Sequence, residues 1–230
     1  MRKNYPKTMS GIIREIRPRL YEAGRMSGSS SKVQEQFRDQ GYSSASLEQL
    51  GELRVQEGRH DSKITLEGSY ASEWVIYIPE KRPYLVPPFL TLPGIRKAVE
   101  AHRTDKEFYL SNKQLSRAIT NGIELPEESF GISTDQFESD SRAIWMFGRE
   151  DKRKAKAYGD FLREPVGAEQ LNVEVLTVSL LPKDEVNFQK RAFARRVFLS
   201  GLKENSLVDS TVKGLDMSHF YWGIRKARRA

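Results

Sequence analysis

Cysteine is missing from all 230 residues, so disulfides, thiol nucleophiles and thiolate metal sites are excluded together. Histidine is scarce. His60, His102 and His219 stand far apart, and none has a second histidine three or four residues away. No apolar run comes near the roughly 20 residues needed to span a bilayer, so no membrane partner is expected. The opening residues MRKNYPKTMSGII are basic without a following apolar stretch, which argues against a secretory signal and makes a cytoplasmic protein the plain expectation. Neither a Gly-x-Gly-x-x-Gly turn nor a Gly-x-Ser-x-Gly elbow occurs. Lys32 lacks the flanking glycine and hydroxyl of a phosphate loop. No cofactor is expected.

What is present is charge, unevenly spread. Hydrophobic residues make up 38% of the chain, aromatics 10% and charged residues 30%, a composition compatible with a globular fold. Mean hydropathy is −0.62. The net charge is +7. Residues 183–230 carry eleven Lys/Arg against five Asp/Glu, a balance of +6, and residues 1–25 carry seven against two, a balance of +5. The middle is therefore −4, and from Glu124 to Asp140 it holds six acids and no Lys or Arg. Basic ends around an acidic middle point to a polyanionic partner, because local potential steers binding more than total charge does. The acidic 124–140 segment is a candidate contact for a basic protein partner.

The pattern predicts an α+β fold: a largely antiparallel mixed sheet covered by helices, with a helical N-terminal segment. Residues 1–58 read as that segment, with RMSGSSSK as a Ser/Gly-rich connector, and 59–230 as the main domain. Helices are expected in SGIIREIRPRLYEAG, SKVQEQFRDQG, SASLEQLGELRVQEG (capped by Ser44 or Ser46), LPGIRKAVEAH and LSNKQLSRAITNG (capped by Ser111). SKITLEGSYASEWVIYIP alternates as a hairpin turning near Gly68 to Ser72 would. KRPYLVPPFLTLPG is too rich in proline for a central strand and reads as an extended crossing. SRAIWMFG and LNVEVLTVSLL read as strands. KDEVNFQKRAFARRVFLSGLK, with acids in its first turn and Lys203 in its last, reads as a long helix.

The last twelve residues, HFYWGIRKARRA, concentrate the functional signal. Arg225, Lys226, Arg228 and Arg229 follow directly on Tyr221 and Trp222. Cations neutralise phosphates and aromatic faces stack on unpaired bases, so this combination suits single-stranded nucleic acid or structured RNA. The alternative is that Phe220 and Trp222 anchor a final strand and leave the cations outside. Arg191 and Arg195 are read as a neighbouring phosphate clamp. The expected function is a nucleic-acid-associated binding protein, RNA or DNA, whose two basic ends fold together. A protein-interaction subunit or adaptor is one alternative. The other is a Mg²⁺-dependent nuclease, because Asp140, Glu150 and Lys152 satisfy the loose Asp…Glu-x-Lys pattern of such enzymes. A strand across them would hold the carboxylates apart unless the chain reversed at Gly148.

Overall fold

The computed structural model describes residues 14–16, 21–57, 63–104, 106–164, 173–202, 207–211 and 219–226. It begins with strands β1 (Arg14–Ile16) and β2 (Tyr21–Gly28), helix α1 (Ser30–Asp39), strand β3 (Ser43–Ser44) and helix α2 (Leu47–Glu57). Helix α3 (Lys63–Leu66), the long strand β4 (Ser69–Tyr77), strand β5 (Tyr84–Val86) and helix α4 (Leu92–Arg103) follow. Next come β6 (Phe108–Tyr109), α5 (Asn112–Ile119), β7 (Ile123–Glu124), β8 (Phe130–Ser133), α6 (Ser141–Phe147) and α7 (Lys152–Arg163). The last part holds β9 (Val175–Ser179), α8 (Lys183–Phe188), β10 (Phe193–Leu199), β11 (Leu207–Asp209) and β12 (His219–Lys226).

The fold is α+β, with two sheets. The smaller runs β1-β2-β12-β3, and the larger runs β7-β5-β4-β10-β11-β9-β8 with β6 also paired to β10. Among the described residues β9–β11 is parallel and the other ladders are antiparallel. Strand β4 is buried at all nine positions. Its side chains alternate between two cores, as the pleat requires. Ala71, Val75 and Tyr77 join the core under α2, α6 and α7, whereas Tyr70, Trp74 and Ile76 join the one under α1, α4 and α5. Strand β10 divides likewise, with Phe193, Val197 and Leu199 on the first side and Ala194 and Phe198 on the second.

Local signals govern several helices. Ser111 caps α5 through a reciprocal capping box with Gln114. Ser46 does the same for α2 with Gln49. The proline-flanked β5 is only three residues long, and its Leu85 and Val86 are buried.

Elsewhere long-range pairing overrides the local pattern. Arg14–Ile16 and Tyr21–Gly28 are strands, not the expected helix, because β12 supplies β2 with an eight-residue antiparallel partner. The expected connector RMSGSSSK is instead the end of β2 and the start of α1. The segment before residue 58 therefore mixes three strands with two helices. No hairpin forms near Gly68, since β4 runs unbroken from Ser69. SRAIWMFG is helix α6, started by the Asp140 carboxylate accepting from the amides of Arg142 and Ala143, with Ala143, Met146 and Phe147 turned inward. The long helix expected from Lys183 stops at Phe188. The chain turns through Lys190 at φ 57°, a left-handed conformation that non-glycine residues seldom adopt, and enters β10. No helix among the described residues is long and apolar enough to cross a membrane.

Candidate functional site

The C-terminal stretch turns its aromatics inward. Tyr221 is 0% exposed and stacks on Tyr70 with ring centroids 5.4 Å apart. Trp222 is buried in the opposite core. Gly223 lies so close to α1 that a Cβ there would meet the Phe37 ring at 2.7 Å. Burial removes both aromatic faces from any base, which corrects the stacking role expected of Tyr221 and Trp222. Arg225 lies 4.7 Å over the Tyr42 ring and donates to the Gln40 carbonyl. Lys226 pairs with Tyr21 in the β12–β2 ladder. Arg228 and Arg229 lie outside the described residues. Strand β12 does pair with β2 along its whole length.

Arg191 and Arg195 are not one clamp. Arg195 is 2% exposed and donates from Nε and Nη2 to the two oxygens of Glu107, at 3.2 and 2.6 Å. It also reaches Glu185 at 3.3 Å and the Thr211 carbonyl. A guanidinium so occupied is closed to phosphate, and its place in the clamp is corrected accordingly. Arg196, on the other face of β10, is equally buried. It donates to the Ala71 carbonyl and to the hydroxyls of Ser30 and Ser44, and faces the rings of Tyr70 and Tyr221. Arg191 is exposed, with its guanidinium 5.0 Å over the Tyr109 ring.

Arg191 belongs to a turn that sequence reasoning did not single out. Phe188, at the end of α8, is 80% exposed, more than any other large apolar side chain among the described residues. Lys190 and Arg191 follow it, both exposed, and among the described residues no carboxylate pairs with either. The turn is well anchored. The Asn187 side chain accepts from the Glu80 amide at 2.8 Å, and the Tyr109 hydroxyl donates to the Gln189 side chain at 2.8 Å. The Leu110 amide donates to the Ala192 carbonyl, which sets the turn beside Ser111 and the start of α5. That first turn of α5 has no acid and carries exposed Lys113; exposed Lys106 precedes β6. Helix N-termini are partially positive, so the surroundings add to the cationic field. An exposed ring beside uncompensated cations can stack on a planar group while its neighbours hold an anion.

Four of the six acids of the 124–140 segment stand in intramolecular pairs. In the acidic segment Glu124 pairs with Arg82, Glu127 with Lys183, Glu138 with Lys156 and Asp140 with Arg142. Burial works to raise the pKa of Asp140, but hydrogen bonds from the Arg142 side chain and the amides of Ala143 and Arg142 hold it below the usual value. Asp140 opens α6 and Glu150 lies beyond its end, so a seven-residue helix, roughly 10 Å long, separates them. Among the described residues no three His, Asp or Glu side chains are grouped to hold a metal ion. The Tyr77 hydroxyl, between Ser210 and the Leu181 amide, is pushed up to about 12 by burial and stays neutral.

No known protein family and no curated protein matches the sequence. A solved structure described as "Accommodation of massive sequence variation in Nanoarchaeota by the C-type lectin fold" is similar, with TM-score 0.58 and 11% identity over 92% of this chain and 100% of that one. At that identity the likeness speaks to fold alone: this chain has an α+β fold of the C-type lectin kind.

Proposed function

We propose that this chain is a non-catalytic nucleic-acid-binding protein that holds single-stranded RNA or DNA at the turn between α8 and β10. One observation carries the reading: Phe188 is 80% exposed, fixed by its neighbours, and followed by two exposed cations with no carboxylate partner among the described residues. Phe188 supplies a face for an unpaired base, and Lys190 and Arg191 supply charge for the adjoining phosphates. Lys106 and Lys113 flank the path. Tyr221, Trp222 and Arg195 serve the fold.

Fluorescence anisotropy with single-stranded and duplex oligonucleotides at two salt concentrations tests this. The expected result is binding to single strands at about micromolar Kd, weaker binding to duplex, and a log–log salt slope of about −3 for four cations at about 0.7 each. Replacing Lys190 and Arg191 together by Ala reduces that slope by about half. Absence of binding at low salt removes the proposal.

A second reading is favoured by the neighbouring structure, described as accommodating massive sequence variation on this fold. A scaffold that keeps its shape as its surface changes suits recognition of a protein partner, with Phe188 as an aromatic anchor. Partner binding that needs Phe188, resists salt and ignores Lys190 and Arg191 would move the conclusion there.

A further inference from the structure

We infer that Glu185, acting through Arg195, is a positioning residue that sets the spacing between Phe188 and the Arg191–Tyr109 pair. The inference rests on the reading of this turn as the binding site. Arg195 stands on β10 behind the turn. Its guanidinium holds Glu107, the residue before β6, and therefore the backbone that carries Tyr109. The same guanidinium reaches Glu185 in the first turn of α8, the helix that ends in Phe188. One buried cation thus ties together the two walls of the site.

Glu107 is the closer counter-ion of Arg195, with a bidentate contact in a buried setting. The side chain of Glu185 is 46% exposed, so the interior does not need it for neutrality. What it supplies is orientation. Helix α8 has six residues, far below the length of about 12 at which an isolated helix begins to hold itself, and depends on tertiary ties. Its ties include buried Val186, the exposed Lys183–Glu127 ion pair, the Asn187 bond to Glu80, and the Glu185–Arg195 contact.

Simple electrostatics and positioning predict opposite signs for Glu185→Gln. Removing an acid near a cationic site strengthens polyanion binding by up to about twofold if charge alone matters. Positioning predicts weakening of about three- to fivefold for single strands, a smaller single-strand preference over duplex, and an unchanged salt slope. Glu185→Asp keeps the charge and shortens the reach, and is expected to weaken binding in the same way. Both variants should melt close to the parent, because Arg195 keeps Glu107. Equal or tighter binding by Glu185→Gln overturns the inference, as does full single-strand preference in Glu185→Asp. If the unaltered protein fails to bind any oligonucleotide, the underlying reading falls instead, so the two failures are told apart.

Discussion

Two stretches of this chain join aromatics to cations, HFYWGIRK at the C-terminal end and NFQKRAF after α8, and they meet opposite fates. In the first, β12 lies between β2 and β3, with a core on each face: Tyr221 goes to one and Trp222 to the other. In the second, helix α8 ends before its last ring can turn inward, and Lys190 reverses the chain in a left-handed conformation. A strand with neighbours on both sides consumes its aromatics, whereas the helix end displays Phe188 and only Phe193, already in β10, turns inward. Composition alone does not distinguish reader from core; the number of hydrogen-bonded partners does.

The largest expected effect separates the two stretches by stability. Tyr221→Ala removes a ring stacked on Tyr70 and facing Arg196, and should lower unfolding free energy by about 3–5 kcal/mol in urea titration. Phe188→Ala, on the surface, should change stability by no more than about 0.5 kcal/mol while weakening single-strand binding roughly tenfold. If Phe188→Ala proves the destabilising one, the contrast is wrong.

A pH series sharpens the same contrast. Burial raises the pKa of Glu73 above its usual 4.5, against the opposing influence of Arg149, the Leu47 amide and Ser72. Its carboxylate pairs with the Arg149 guanidinium and accepts from the Leu47 amide. A carboxyl whose folded pKa exceeds its unfolded one holds more protons folded than unfolded in between, so its contribution falls as pH rises through that interval. The stability of the parent relative to Glu73→Gln should therefore decline as pH rises from 4.5, in parallel denaturant titrations. Phe188→Ala should shift the whole curve without altering this slope.

Helices with their own start signals were legible in the sequence, because a cap is a local interaction: Ser111 sits where expected, and of the two serines offered for α2 it is Ser46 that caps. Strand β9 was legible too, through its alternation of exposed Val175 and Thr177 with buried Leu176 and Val178. Strand β10 was not. Burial on both faces abolishes the two-residue alternation, and the partners that neutralise or bond its two arginines lie 88 and 166 residues away. Without them, FARRVFL looks like a charged helix. The turn was hidden for the same reason, since Phe188 became conspicuous only once the helix was seen to stop there. Of the residues expected to bind, Arg191 stands in the site; Arg195 stands behind it.

The smallest effect probes the edge of the comparison, where the C-terminal stretch regains the surface. Arg225→Ala removes a cation–aromatic contact with Tyr42 and should reduce stability by about 0.5 kcal/mol, with no change in single-strand preference. A loss of preference there would extend the binding surface to β12.

The ladder between β2 and β12 also has a consequence during synthesis on the ribosome. The strand that completes the first sheet begins at His219 and emerges long after its two neighbours, which lie within the first 44 residues. Until then Phe37 lacks the backbone against which it closes, and the early strands wait with unpaired edges. Such distant pairing makes folding slow and late, and places the newborn chain in need of protection from its own kind.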